Sequence, residues 1–114
     1  MNGQVSANWR DVGPLEAIPA RGARVVRLEG TCIAVFRTAD DRVYALHDAC
    51  PHKAGPLSQG IVHDVSVTCP LHNWVIRLDT GEVAGPDRGR ARTVPARLSN
   101  GRIELALDSV ALPA

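Results

Sequence analysis

The feature that most constrains this chain is a pair of short half-motifs, Cys50-Pro51-His52 and Cys69-Pro70-Leu71-His72. Each puts a thiol and an imidazole on one tight loop, and sixteen residues, 53–68, separate them. That stretch is long enough for a loop, a short hairpin and a return, so the two halves can face each other across one metal centre. Loops that must converge four side chains on a point need a rigid scaffold beneath them. Pro51 and Pro70 stiffen the two loops by fixing φ, and Gly55 and Gly60 allow turns that other residues resist.

The rest of the sequence supplies an all-β scaffold. Eight prolines and ten glycines interrupt it every few residues and leave only short apolar runs. Ala23 to Leu28 and Cys32 to Arg37 read as strands around the turn Glu29-Gly30-Thr31, rich in β-branched residues. Ala39 to Arg42 reads as a turn and Val43 to His47 as the next strand. Ile61 to His63 and Val65 to Thr68 pair around Asp64, while Trp74 to Leu78 and Glu82 to Val83 flank Asp79-Thr80-Gly81. Ala84 to Arg92 reads as a surface loop. Val94 to Ser99 and Ile103 to Leu107 flank Asn100-Gly101, a strong hairpin signal because both residues tolerate positive φ. No amphipathic helix stands out; Pro14 to Ala20 is too short.

At 114 residues the chain fits one domain, 1–114, with a core expected over about 9–107. Aromatics make up 4%, so Val, Ile, Leu and Ala must build that core. A net charge of +1 gives no electrostatic case for nucleic acid or an anionic membrane. No apolar run approaches the roughly 20 residues of a membrane span, and Met1 to Asn8 lacks a secretory pattern, so the expected compartment is the cytoplasm. Three cysteines are too few and too uneven for a disulfide scaffold.

Two Cys and two His, one of each per loop, match the ligand set of a Rieske [2Fe-2S] centre, in which the thiolates share one iron and the imidazoles the other. Cys50 and Cys69 would then hold the inner iron, and His52 and His72 the outer one. Two thiolates cancel the two positive charges of the oxidised core, and neutral imidazoles add none. Four thiolates would leave the same centre more negative, so the mixed set is easier to reduce: roughly −150 to +300 mV, against about −400 mV for all-Cys plant-type clusters. Hydrogen bonds to the sulfurs tune the value further. A tetrahedral Zn²⁺ is the alternative, but structural zinc sites usually use C-x₂₋₄-C and H-x₃₋₅-H spacings. A Cys nucleophile with a His base would leave the second Cys–His pair without a role.

Other chemically capable residues have plainer readings. Cys32 lies in an apolar strand and reads as a buried small hydrophobe. His47 reads as structural or exposed and not as a ligand, and His63, beside Asp64, as a turn residue. Trp74 would either shield the metal centre or pack in the core. Arg88, Arg90 and Arg92 form a basic stripe that is either a solvated loop or a docking patch for an acidic partner.

The segments Cys-Pro-His-Lys-Ala-Gly-Pro-Leu-Ser-Gln-Gly (50–60) and Cys-Pro-Leu-His-Asn-Trp (69–74) resemble the Rieske domain family. With Asp79-Thr80-Gly81-Glu82 and Gly85-Pro86-Asp87, the chain resembles in detail the small subunit of assimilatory NAD(P)H-dependent nitrite reductases, over roughly Trp9 to Leu107. The resemblance implies a Rieske-like fold of small antiparallel sheets with two cluster-binding loops, a [2Fe-2S] cluster on Cys50, His52, Cys69 and His72, and an electron-transfer role. It also implies a large partner subunit carrying FAD, sirohaem and a [4Fe-4S] cluster, which reduces nitrite to ammonium. No motif for those groups is present here, so no independent catalysis is expected of this chain. A Rieske-type ferredoxin serving an aromatic-ring dioxygenase would share the ligands, the Leu57-Ser58-x-Gly60 segment and nearly the same length; a structural module without a redox-active cluster is the third reading. One departure is Ile76, where related sequences often carry Phe; a β-branched residue fills much of the same core space. A His72→Cys substitution adds a thiolate and is expected to lower the reduction potential. An unchanged or raised potential would contradict the assigned ligand role.

Overall fold

The computed structural model describes residues 9–28, 30–48, 57–69, 74–83 and 89–106. Strand β3 (Thr31–Arg37) shows how the chain is organised. Side chains alternate faces along a strand. Ile33 and Val35 join one buried cluster while Ala34 and Phe36 join another. All four are at most 1% exposed. A strand covered on both sides reads as an unbroken apolar run, which accounts for Ile33-Ala34-Val35-Phe36. β4 (Val43–His47) divides in the same way: Val43 and Ala45 face one cluster, and Leu46 the other.

β2 (Ala23–Leu28), β3, β4 and β8 (Thr93–Val94) form a four-stranded antiparallel sheet in the order β2-β3-β4-β8. One face packs against a sheet ordered β1-β10-β9, made of β1 (Trp9–Pro14), β10 (Arg102–Ala106) and β9 (Ala96–Ser99). Ile18, Leu28, Val94, Ile103 and Leu105 fill that interface. The other face packs against β5 (Ile61–His63), β6 (Ser66–Thr68) and β7 (Val75–Arg77), through Val62, Val67 and Ile76. Two single-turn 3₁₀ helices, Leu15–Ala17 and Leu57–Gln59, complete the elements among the described residues. Among the described residues no helix is long and apolar enough to cross a membrane.

The expected hairpins around Gly30, Asp64 and Asn100-Gly101 form, while around Asp79-Thr80-Gly81 Glu82 and Val83 make only isolated bridges, Val83 to Ile76 and Glu82 to Arg90. Asn100 and Gly101 have φ of 53° and 78° and join β9 to β10 with Ser99 opposite Arg102; positive φ at both central residues suits the twist of a two-residue hairpin. Ile76 is fully buried on β7, filling the space expected of it.

Other strand features depart from the sequence reading. Thr31 belongs to β3 and not to the preceding turn. Val94 to Ser99 is not one strand: Pro95 has no N–H to extend the pairing with β4, and the chain crosses there to the sheet of β10, the Pro95 carbonyl accepting the Ala106 N–H at 3.1 Å. β1 had no sequence signal, since Trp9-Arg-Asp-Val-Gly-Pro14 lacks alternation. It is held by pairing with β10, across an irregularity between Asp11 and Gly13, and by Arg102, whose Nε and Nη2 bind both Asp11 carboxylate oxygens at 2.6 and 3.1 Å.

His47 ends β4 half-buried, and its Nε2 is buried with no hydrogen-bond partner among the described residues. Burial and, secondarily, the Arg92 charge hold its pKa below the ordinary histidine value. A depressed folded-state pKa favours the neutral ring, so this contribution to stability is present above the ordinary histidine pKa and is lost as pH falls through the folded one. Denaturation midpoints should therefore fall more between about pH 7.5 and about pH 5 in the wild type than in His47→Gln; equal falls would contradict this. Phe36→Ala should cost about 3–5 kcal/mol by denaturant unfolding, while Val25→Ala, on an exposed edge position, should stay within about 0.5 kcal/mol. Similar losses for both would contradict the two-core packing.

Candidate metal centre

β6 and β7 form the hairpin that carries the second half-motif. Thr68 pairs with Val75, and one step further the Cys69 N–H donates to the Trp74 carbonyl at 2.7 Å. This bond closes the base of the segment 70–73. Cys69 is a free thiol, 1% exposed, and lies in the cluster formed by Phe36, Leu46, Leu57, Val67 and Ile76. Trp74 is half-buried against the same cluster. His72, with Pro70, Leu71 and Asn73, lies outside the described residues.

The first half-motif follows β4. Cys50 and His52 lie outside the described residues, but both ends of their segment are fixed. On one side the Asp48 N–H donates to the Cys32 carbonyl at 3.0 Å, extending the β3–β4 ladder. On the other, Leu57 is fully buried and opens the short 3₁₀ helix. Between them the half-buried Asp48 carboxylate accepts two hydrogen bonds from Ser58, from the backbone N–H at 2.8 Å and from Oγ at 2.9 Å. The sequence reading missed Asp48 and Ser58. The available signal was a carboxylate and a hydroxyl at the two ends of a loop that must hold metal ligands.

The segments that follow the first half-motif and precede the second meet at Gly60 and Thr68. Gly60 donates its N–H to the Leu57 carbonyl at 2.9 Å. A Cβ at Gly60 would collide with the Thr68 carbonyl oxygen and stand 2.8 Å from Val67 Cγ2. The residue leaving the first loop therefore abuts the strand that leads into Cys69, an approach open only to glycine.

The remaining candidates take other places in the fold. Cys32 is exposed, not buried. It shares the Ala34–Phe36 face of β3, but it pairs with exposed Arg27 near the strand's end, where the cover over that face stops. His63 is the last residue of β5 rather than a turn residue, and its Nε2 lies 2.7 Å from Thr68 Oγ1. Within the basic stripe, Arg90 pairs with Glu82 at 3.2 Å, Arg92 is half-buried, and Arg88 lies outside the described residues.

The donor set suits the group. A buried free thiol at the end of a strand, on a loop pinned at its base, is compatible with a thiolate ligand. Cys69 is the one member of the proposed set among the described residues. Comparison with known proteins agrees with this chemistry. The model of the Rieske-like [2Fe-2S] domain matches residues 8–106. The anthranilate 1,2-dioxygenase ferredoxin subunit of Burkholderia cepacia is 35% identical over 87% of this chain and 92% of its own length. The ferredoxin component of the naphthalene 1,2-dioxygenase/salicylate 5-hydroxylase systems of a Ralstonia species is 28% identical over 91% of this chain and 100% of its own length. A solved structure described as an NADH-dependent nitrite reductase small subunit from Mycobacterium tuberculosis superposes with a TM-score of 0.80 at 28% identity, covering 90% of this chain and 96% of that one. The all-β architecture, the buried Cys69 and a family match spanning nearly the whole chain lead to one conclusion: this chain belongs to the Rieske-like [2Fe-2S] domain family.

Proposed function

We propose that this chain is the ferredoxin component of an aromatic-ring oxygenase system, a one-electron carrier with no catalysis of its own. The observation that carries the reading is its 35% identity to a dioxygenase ferredoxin subunit over 92% of that subunit's length. The likeness spans a whole carrier protein, not a fragment of a larger oxygenase. In this reading Cys50 and Cys69 hold the inner iron of the cluster, and His52 and His72 hold the outer iron on the side that meets the partner. When bound, the cluster supplies one reversible electron at a potential raised by its imidazole ligands.

The chain's own residues supply position. The Cys69–Trp74 backbone bond and the Asp48–Ser58 pair fix the bases of the two loops. The apolar cluster around Cys69 keeps water from the thiolate side, which tunes the potential through the local dielectric. The partner of such a carrier is a larger oxidoreductase component, here an oxygenase.

A second reading is favoured by a specific observation. The Mycobacterium tuberculosis nitrite reductase small subunit matches at 28% identity with a TM-score of 0.80. Under it the partner is a large subunit with FAD, sirohaem and a [4Fe-4S] cluster, and the pathway is nitrite assimilation. Co-purification from the native host, with cofactors of the partner identified, separates the two. An oxygenase component without sirohaem is the expected outcome. A stoichiometric partner carrying FAD and sirohaem would overturn the ferredoxin reading and establish the second.

A further inference from the structure

We propose that Asp48 and Ser58 are positioning residues for the metal centre: the Asp48 carboxylate, by binding both the N–H and the hydroxyl of Ser58, closes the base of segment 49–56 and so holds Cys50 and His52 in register with Cys69. The inference rests on the ligand assignment proposed above.

Three observations carry it. First, the pair bridges ten residues and joins the residue after β4 to the 3₁₀ turn, so it encloses every residue of the first half-motif. Second, both of its ends are anchored in the fold. Asp48 donates its backbone N–H to Cys32 of β3, and Ser58 follows Leu57, which is fully buried in the same cluster as Cys69. Third, the turn that Ser58 belongs to continues into Gly60, whose close approach to Thr68 ties it to the strand that delivers Cys69. The path from one half-motif to the other runs through Asp48, Ser58, Gly60 and Thr68. Hydrogen bonds to a carboxylate are stronger than neutral ones, and a half-buried pair keeps more of that strength than an exposed one.

The graded chemistry of the pair makes the test specific. Asp48→Ala removes both bonds. Ser58→Ala removes the hydroxyl bond and keeps the backbone one. Asp48→Asn can accept from the Ser58 N–H and donate to its Oγ, so it restores the geometry without the charge. With iron and sulfide bound, the rate of cluster bleaching by a chelator should rise about tenfold in Asp48→Ala and about threefold in Ser58→Ala. Asp48→Asn should stay within about twofold of wild type. The EPR line shape of the reduced protein should broaden in Asp48→Ala and not in Asp48→Asn, a signature that general destabilisation would not give.

Hydrogen exchange of the Ser58 amide in the metal-free full chain gives a second measurement: faster exchange in Asp48→Ala is expected. Wild-type bleaching rate and line shape in Asp48→Ala, with the cluster loaded, would overturn the clamp and leave the ligand assignment standing. A wild-type chain that takes up no iron would overturn the ligand assignment. That result would remove the metal-positioning role with it, whereas unchanged Ser58 exchange in Asp48→Ala would overturn the clamp alone.

Discussion

Everything in this molecule depends on a central sheet that must be dry on both faces. The alternation through Ile33, Ala34, Val35 and Phe36 commits one strand to two apolar cores. Each core needs its own cover. The terminal sheet of β1, β10 and β9 supplies one, and the hairpin sheet of β5, β6 and β7 supplies the other. The second cover carries Cys69, a member of the proposed ligand set, directly after β6. Val67 and Ile76 are fully buried, and they anchor the strands on either side of Cys69 and Trp74. The site is therefore an outgrowth of core packing: the residues that bury the face of Ala34 and Phe36 also place a thiol.

The second constraint is polar. Apolar packing fixes Cys69, but it leaves the backbone polar groups where β4 and β6 end in need of partners. Backbone and carboxylate hydrogen bonds at the loop bases supply those partners here, with Cys69 bound to Trp74 and Asp48 bound to Ser58. Charged pairs elsewhere, such as Arg77 with Asp79 and Arg97 with Glu104, lie on the surface. They contribute little to stability individually.

Much of this was legible in the sequence, for reasons that differ by element. The strands around Gly30 and Asn100-Gly101 were legible because alternation and turn chemistry are local. The four ligand candidates could be named because the chemistry of two Cys–His loops is written within a few residues of each; of the four, the described residues include Cys69, which is buried. β1 was not legible, since its stability comes from residues 91 positions away, through Arg102 and Asp11. Pro95 split a run that hydrophobicity alone joins. Cys32 was misread because exposure at the end of β3 depends on where the covering sheet stops, which no local pattern records. Asp48 and Ser58 escaped notice because each is an ordinary turn residue until the fold brings them within 2.8 Å.

The central claim is that the paired half-motifs hold a Rieske-type [2Fe-2S] cluster, with thiolates of Cys50 and Cys69 on one iron and imidazoles of His52 and His72 on the other. Metal and sulfide analysis of anaerobically purified chain, combined with EPR after one-electron reduction, tests it most directly. The account predicts about two irons and about two sulfides per chain and a Rieske-type signal. Stoichiometric zinc with no iron in a carefully handled sample would contradict it.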